Sequence, residues 1–378
     1  MRILYVASDQ VVPGSTGGSV HALEVARGLA ARGHEVHAIV HEAGSTPRRA
    51  EEAGVVWHRI AWRPDHRLFR FRARGAVARV AEAAPPDVVL ERYYNFGGEG
   101  IAVASRLGIP AVLEVNSPVV DHPGSAKAAL DALLLRPLRR YREGLCRTAA
   151  ALVSPLLEIV PEFARAKTQV VSWGANVDAF APGGRNEALR RGLGIPEHAV
   201  TVLFSGSFRP WHGVHVLEAA ARRLVARPDL FFLLVGGGRT GQARGYRGRL
   251  LGALPYERMP EVVAAADIGV APYDTSRLAQ LRLGFYWSPL KIFEYMAVGL
   301  PTITIPRPPL SEIVREGQEG VLFREGDAAE LANAITRLAD DPATRAAMGR
   351  RARARVVALY SWARHCEELE GVLERVAA

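Results

Sequence analysis

The sequence predicts an α/β protein with two domains, each built on a doubly wound parallel sheet. The chain has 378 residues, more than one ordinary hydrophobic core accommodates. Short apolar runs of strand length alternate with Ala-, Leu- and Arg-rich segments of helical period, and this alternation occurs twice. A segment rich in Gly, Pro and Asn at 173–184 lies between the two series and is suited to be a hinge.

The apolar runs give the order of the predicted strands. They lie at residues 3–7, 36–40, 88–90, 111–115 and 151–153 in the first series, and at 200–204, 231–235, 268–271, 302–305 and 321–323 in the second. Strands that alternate with helices are typical of parallel sheets covered on both faces. The predicted domains span 1–180 and 181–358, and a break near Ser361 predicts a separate last helix over 359–378.

Composition places the chain among globular proteins. Hydrophobic residues make up 49% and charged residues 23% of it, which is too apolar for a disordered protein. Cys146 and Cys366 have neither metal-ligand nor redox spacing, which favours a reducing, cytoplasmic compartment. No apolar run approaches the roughly 20 residues of a membrane span, so we expect any membrane contact to be peripheral. The apolar N-terminus predicts a buried first strand rather than a signal peptide.

A glycine-rich loop follows the first strand and precedes a helix that begins near Val20. Gly17 and Gly18 would let the backbone approach a ligand, and the helix N-terminus offers N–H groups to a phosphate or sugar oxygen. His21, in the first turn, is placed to touch a sugar. An ordinary turn with a structural histidine is an equally good interpretation, because the glycines do not match G-x-G-x-x-G.

The second domain opens with a similar strand, loop and helix. Gly206 and Gly213 permit close backbone approach to a diphosphate, and Arg209 supplies fixed positive charge. His212 directly precedes the second of these glycines. The competing interpretation is a surface loop with one solvated arginine.

The segment 288–302 predicts a short helix with charged residues in its first turns. Ser288 or Pro289 starts the helix, and Lys291 and Glu294 fall three apart on one face. A lysine in the first turn opposes the helix dipole, which makes sense if an anion shares the site. Glu294 would then accept hydrogen bonds from ribose hydroxyls, whereas a plain surface Lys–Glu pair is the alternative.

Two further turns are candidate ligand-binding sites, and several absent motifs disfavour other classes of enzyme. Gly237 follows a strand at the carboxyl end where open α/β sheets bind ligands, and Leu254 lies in a turn that could hold a nucleobase. The sequence contains no Asp-x-Asp pair, metal-ligand spacing, G-x-S-x-G or Walker loop. These absences disfavour metal-dependent transfer, hydrolases and P-loop enzymes. A dinucleotide oxidoreductase is disfavoured because G-x-G-x-x-G is missing after the first strand.

Taken in order, these motifs resemble glycosyltransferase family 4, whose members have the GT-B fold. The resemblance extends over most of the chain and is carried by Gly17, His21, R-G-H-E-V at 32–36, E-R-Y at 91–93, G-I-P at 108–110, N-V-D at 176–178, A-D-I at 266–268, P-Y at 272–273 and above all 291–301. The chain departs from the family pattern at three positions. His212 replaces a lysine, Tyr286 replaces a glutamate, and Glu114-Val115-Asn116 stands where a histidine often ends the strand.

The resemblance implies two Rossmann-like domains that face each other across a cleft, with a C-terminal helix returning to the first. It implies a nucleotide-sugar donor in the second domain, an acceptor in the first, retention of anomeric configuration, and no cofactor or metal. Arg209, Lys291 and Glu294 would be catalytic. The donor residues would be Gly17, Gly18, His21, Gly206, His212, Gly213, Gly237, Leu254, Leu290 and Ile292. Glu91, Arg92, Glu114 and Asn116 would lie near the acceptor or the sugar.

The acceptor and the partners stay open at the level of sequence. Arginines and aromatic residues alternate over 58–79, and arginines surround Leu133, Leu134, Leu138 and Tyr141, so both segments could rest on an anionic membrane and reach a lipid-linked acceptor. A solvated basic face is equally compatible with them. The net charge of +9 also suits nucleic acid, which is not expected because no reading motif is present. A sugar-nucleotide epimerase on the same fold is the other alternative.

Overall fold

The computed structural model describes residues 1–44, 46–62, 67–94, 97–122, 124–183, 186–286 and 289–378, without the side chains of Arg67, Leu68 and Lys127. Contacts divide the chain into two compact units. The first comprises Met1–Trp173, Tyr286 and Trp362–Ala378, and the second comprises Gly174–Phe285 and Pro289–Ser361. Each unit has its own sheet and core.

The first unit is built on a sheet that is parallel except at one edge. Its strands are β1 (Arg2–Val11), β2 (Glu35–His41), β3 (Arg49–Glu52), β4 (Val55–Ile60), β5 (Val88–Tyr93), β6 (Ala111–Val115), β7 (Ala151–Ser154) and β8 (Thr168–Val170). They lie in the order β3-β4-β2-β1-β5-β6-β7-β8, with only the β3–β4 pair antiparallel among the strands described. Every residue of β5 and β6 is buried, as expected for strands covered on both faces.

Helices cover both faces of this sheet. They are α1 (Gly17–Ala31), α2 (Arg74–Ala83), α3 (Glu99–Leu107), α4 (Ala126–Leu133), α5 (Pro137–Thr148) and α6 (Glu162–Arg165), with 3₁₀ turns at Arg67–Ala73 and Leu157–Ile159. The side chain of Thr16 caps α1 by accepting a hydrogen bond from the Ser19 amide.

The second unit repeats the design. Its strands are β9 (Val200–Ser205), β10 (Leu230–Val235), β11 (Thr240–Gln242), β12 (Gly248–Gly252), β13 (Ile268–Val270), β14 (Thr302–Thr304) and β15 (Gly320–Leu322), in the order β11-β12-β10-β9-β13-β14-β15. Its helices are α7 (Glu187–Gly192), α8 (Val214–Arg223), α9 (Met259–Ala264), α10 (Leu290–Ala297), α11 (Leu310–Ile313), α12 (Ala328–Asp340) and α13 (Pro342–Leu359). Additional 3₁₀ turns lie at Pro210–His212, Tyr256–Arg258, Thr275–Arg277 and Ala279–Leu283.

The last helix, α14 (Trp362–Ala377), belongs to the first unit and confirms the predicted return of the C-terminal helix. It packs on α1 and on β5, β6 and β7. Gly28 of α1 gives it room, because a Cβ there would collide with the Cys366 sulfur. Glu370 closes the contact through the His34 imidazole, 2.8 Å away.

Both sheets change winding direction at their first strand. β1 lies between β2 and β5, and β9 lies between β10 and β13. The connections leave these central strands in opposite directions, so a crevice opens beyond their carboxyl ends. No helix in the portion of the chain that the structure covers is long and apolar enough to cross a membrane.

Candidate functional site

Lys291 lies at the switch point of the second unit. It is in the first turn of α10, and its ammonium is 4.2 Å from the centre of the Phe204 ring at the end of β9 and 5.2 Å from the Tyr273 ring beyond β13. The side chain is buried and finds no hydrogen-bond partner within the described ranges. Burial lowers the pKa of Lys291 to about 7, although Glu294 opposes this shift. A buried ammonium without an acceptor is unfavourable, and a bound anion would relieve that cost.

Glycines bring the backbone close to this ammonium. Gly206 follows β9 with φ at +147°, and a Cβ built there would lie 2.8 Å from the Lys291 nitrogen. Gly213 precedes α8 with φ at +69°, and a Cβ there would overlap the Pro272 carbonyl oxygen. A side chain at either position would strain the backbone. At Gly206 it would also crowd the Lys291 ammonium, and at Gly213 it would collide with the Pro272 carbonyl.

Both predicted cations act electrostatically on His212. It is buried, and burial, Lys291 and Arg209 together lower its pKa to about 2, so the imidazole is neutral. Its Nδ1 has no hydrogen-bond partner among the residues the structure describes. Arg209 is exposed, yet it acts electrostatically on the same imidazole as Lys291. A joint action of the two cations on one ligand stays a prediction.

The helix that carries Lys291 is tied to the central strand. The Tyr295 hydroxyl accepts a hydrogen bond of 2.7 Å from the Ser205 amide, which fixes α10 against the end of β9. Glu294 is buried one turn after Lys291. Pro289 is the N-cap of the helix, while Ser288, the other predicted start, lies outside the described residues.

The remaining predicted donor-binding residues in this unit differ in solvent exposure. Ile292 is fully buried, and its predicted contact with the donor stays a prediction. Leu290 and Leu254 are half-buried. Gly237 follows β10 with φ at +64°, and a Cβ there would press on the Phe208 ring.

The switch point of the first unit holds a cluster of buried charges at the ends of β1 and β5. Arg70 is completely buried, with its Nε 2.7 Å from Glu99 and its terminal nitrogens 3.6 Å from both Asp9 and Glu91. Arg92 contacts Asp9 at 2.7 Å. Three carboxyl groups thus face two guanidinium groups. Burial, reinforced by Glu99, raises the pKa of Glu91 to about 8.

The two predicted acceptor residues of this cluster are already engaged inside the protein. Glu91 accepts hydrogen bonds from the amides of Gly98, at 2.5 Å, and Ile101, at 2.7 Å, and so caps α3. The guanidinium of Arg92 donates to Asp9. A contact of either side chain with an acceptor stays a prediction.

A second buried cluster joins α1, β6 and α14. The His21 Nε2 lies 2.7 Å from Glu114, and the His365 Nε2 lies 3.9 Å from the same oxygen. Burial opposes ionisation of Glu114, but both histidines help to lower its pKa. The ligand atoms of these three residues lie within 4.8 Å of one another and could hold a metal ion. The sequence spacing did not indicate this group, because its members are far apart along the chain.

The other first-unit predictions lie around this cluster. The Trp173 ring covers His21 at 4.2 Å and donates a 3.1 Å hydrogen bond to Asn116. His21 is therefore an interior residue, and its predicted contact with a sugar stays a prediction. Gly17 is exposed at the start of α1, whereas Gly18 makes room for the Gln10 side chain.

The described part of the basic segment at 58–79 is partly exposed, because Phe71, Arg72, Arg74 and Arg79 face solvent, and its predicted membrane contact stays a prediction. Arg59, Trp62 and Arg70 are buried. Arg63 lies outside the described residues, as do the side chains of Arg67 and Leu68. The sequence placed Arg70 in the basic segment but gave no indication of its buried ion pairs, because its carboxylate partners are distant along the chain.

Two family models match the chain, one for each unit. Residues 16–172 match a "Glycosyl transferase 4-like domain", and residues 199–341 match "Glycosyl transferases group 1". The chain belongs to glycosyltransferase family 4. It is accordingly an enzyme of the glycosyltransferase class, as the resemblance implied.

Relatives and solved structures agree with this assignment. D-inositol 3-phosphate glycosyltransferases of Thermomonospora curvata and Thermobispora bispora are 27% and 28% identical, covering 89% and 97% of this chain and 86% and 93% of theirs. Sucrose-phosphate synthase of Thermosynechococcus elongatus superposes with a TM-score of 0.74 at 20% identity, over 99% of this chain and 98% of that one. Anabaena HepE in complex with UDP and glucose has a TM-score of 0.74 at 18% identity, over 99% and 100%. These similarities confirm the predicted GT-B fold.

Proposed function

We propose that this glycosyltransferase transfers a sugar from a nucleoside diphosphate sugar to a saccharide or lipid-linked acceptor, with retention of anomeric configuration. The proposal includes catalysis in the cytoplasm without a metal or other cofactor. The observation that carries it is the buried Lys291 ammonium beside Gly206, which has no acceptor in the described chain. A diphosphate would supply that acceptor.

Electrostatics would provide the catalysis. As the bond from the sugar to the diphosphate breaks, negative charge grows on the leaving phosphate, and Lys291 and Arg209 would stabilise it. An arriving anion favours the charged form of Lys291, so donor binding would raise the pKa of this lysine from about 7. Glu294 would accept hydrogen bonds from the ribose.

Retention follows if the acceptor hydroxyl attacks from the face that the diphosphate leaves. A leaving phosphate oxygen would then take the acceptor proton, so no protein base is needed. His212 suits such a site, because its pKa of about 2 keeps the imidazole neutral beside two cations. It can position an oxygen without adding a third charge.

The first ligands to test come from the similar proteins. HepE binds UDP and UDP-glucose, so a uridine diphosphate sugar is the first donor to test. The relatives named D-inositol 3-phosphate glycosyltransferase make an inositol phosphate the first acceptor. The acceptor would bind in the first unit.

Thermal unfolding with a panel of nucleoside diphosphates tests the donor. A ligand at 100 times its Kd adds about 2.7 kcal/mol of stability to the protein that binds it. We expect one nucleotide to raise Tm in the wild type and to have no effect in Lys291→Met. If no nucleoside diphosphate or its sugar raises Tm in the wild type, the proposed donor site is wrong.

Product analysis tests the reaction. NMR of the product should show the anomeric configuration of the donor, together with release of nucleoside diphosphate. An inverted product contradicts retention. An isomerised donor without released nucleoside diphosphate would instead identify an epimerase.

A further inference from the structure

The junction between α4 and α5 presents a cluster of leucines to solvent. Leu130, Leu133, Leu134 and Leu135, here called the leucine ridge, have exposed fractions of 59%, 79%, 60% and 75%. Five of the twelve exposed large hydrophobic residues of the described chain fall between positions 130 and 141. Isolated apolar residues are normal on a protein surface, but a concentration of this kind marks an interaction site.

The junction is held in a fixed shape. The Asp131 carboxylate accepts hydrogen bonds of 2.9 Å from the amides of Leu138 and Arg139, which caps α5. Leu135 and Arg136 both have left-handed backbones, with φ at +65° and +61°. Residues other than glycine rarely adopt that conformation. The capped turn holds both residues in it, and the leucines beside the turn face solvent.

Positive charge surrounds the ridge. Residues 130–148 contain five arginines and two acidic residues, a net charge of +3. Asp131 is occupied with the helix cap, Glu143 contacts Arg139 and Arg147, and Arg142 is buried in an ion pair with Asp121. Exposed Arg136 and Arg140 make no ion pair with any residue that the structure describes.

We infer that the leucine ridge docks on an anionic lipid surface. Leucines would enter the boundary between headgroups and acyl chains, while the two unpaired arginines contact lipid phosphates. A protein partner fits less well, because leucine is under-represented among the residues that dominate protein–protein affinity. Docking itself does not depend on the proposed function. Its use in reaching a lipid-linked acceptor does rest on that function.

Vesicle flotation with the full chain tests the inference at low salt. The vesicles contain phosphatidylcholine alone or with phosphatidylglycerol. We expect binding only to the anionic vesicles, weakened about tenfold or more in the double variant Leu133→Gln/Leu134→Gln, because two apolar side chains are lost. The double variant Arg136→Gln/Arg140→Gln should lose the preference for phosphatidylglycerol.

Matched variants distinguish docking by the ridge from nonspecific binding through other exposed apolar or charged residues. Val357 and Leu359, in the last turn of α13, are 44% and 48% exposed, so Val357→Gln/Leu359→Gln should bind like the wild type. The pair Arg191→Gln/Arg350→Gln removes two exposed arginines elsewhere and should also bind normally. Failure of the wild type to bind anionic vesicles, or equal binding by the ridge variant, would overturn the inference. So would a self-association that the ridge variant alone abolishes.

Nucleotide binding by the same variants tests the donor site separately from membrane docking. UDP should raise Tm equally in the wild type, in Leu133→Gln/Leu134→Gln and in Arg136→Gln/Arg140→Gln, because the ridge and Lys291 lie in different units. Vesicle binding without any response to nucleotides would refute the donor site and leave docking intact.

Discussion

Replacing Lys291 by methionine should make the ligand-free protein more stable while abolishing its response to nucleotide. The pKa of this lysine falls from 10.5 to about 7 on folding. Each unit of pKa corresponds to about 1.4 kcal/mol, so the buried ammonium costs the folded state about 5 kcal/mol well below pH 7 and about 4 kcal/mol at pH 7. The attraction between Glu294 and the ammonium raises the pKa of Lys291, and the value of about 7 already includes it.

The sign of the pH dependence follows from the same shift. The folded protein holds this proton less tightly than the unfolded chain, so the cost is complete below the folded pKa and vanishes above 10.5. Near pH 9 about 2 kcal/mol should remain. A methionine has no charge and can pack against the Phe204 and Tyr273 rings, so the advantage of Lys291→Met should shrink as pH rises.

Calorimetry at pH 7 and pH 9, in buffers without phosphate or sulfate, measures the effect. For a unit of this size we expect Tm to rise by on the order of 10 °C at pH 7 and by much less at pH 9. Lys167→Met is the matched control, because the Lys167 ammonium donates hydrogen bonds to the Arg147 and Ala149 carbonyls and its loss should destabilise the protein. A Lys291→Met protein that is no more stable than the wild type at pH 7, or whose advantage does not depend on pH, would contradict a destabilising buried ammonium.

Three further substitutions test the rest of the site. Arg209→Ala should lower kcat by about tenfold or more with Tm unchanged, because this arginine is exposed; normal turnover would remove it from catalysis. Gly206→Ala should weaken nucleotide binding about tenfold or more, since its Cβ would sit 2.8 Å from the Lys291 nitrogen. Gly238→Ala meets no atom within 4 Å and is the control, so equal isothermal-titration affinities for the two would contradict the crowding argument. Glu294→Gln should raise the KM for the donor more than it lowers kcat; an effect on kcat alone would contradict a role in ribose binding.

The fold was accessible from sequence because its signals are local. Apolar runs such as 231–235 are strands buried on both faces, and their repetition along the chain indicated two sheets. The short edge strands β3 and β11 carry exposed polar residues, which gave no such signal. The position of α14 was implied by family resemblance, since nothing in its own periodicity says which unit it covers.

The site was accessible only in part. Gly206 stands in the turn where β9 ends, and Lys291 and Glu294 lie in α10, whose start can be read from the sequence. The cluster of Arg70, Asp9 and Glu99 could not be read in this way, because Arg70 comes from a 3₁₀ turn whose partners are fixed by tertiary packing. The interior position of His21 likewise depends on α14 and Trp173, which are remote in sequence.

The return of α14 has a consequence for synthesis on the ribosome. The second unit ends at Ser361, so its core can close before the final helix has emerged. The first unit, although translated earlier, must wait for that helix before the apolar face of α1 and the Glu114 carboxylate are covered. The core of the amino-terminal unit is therefore completed only by the segment made last.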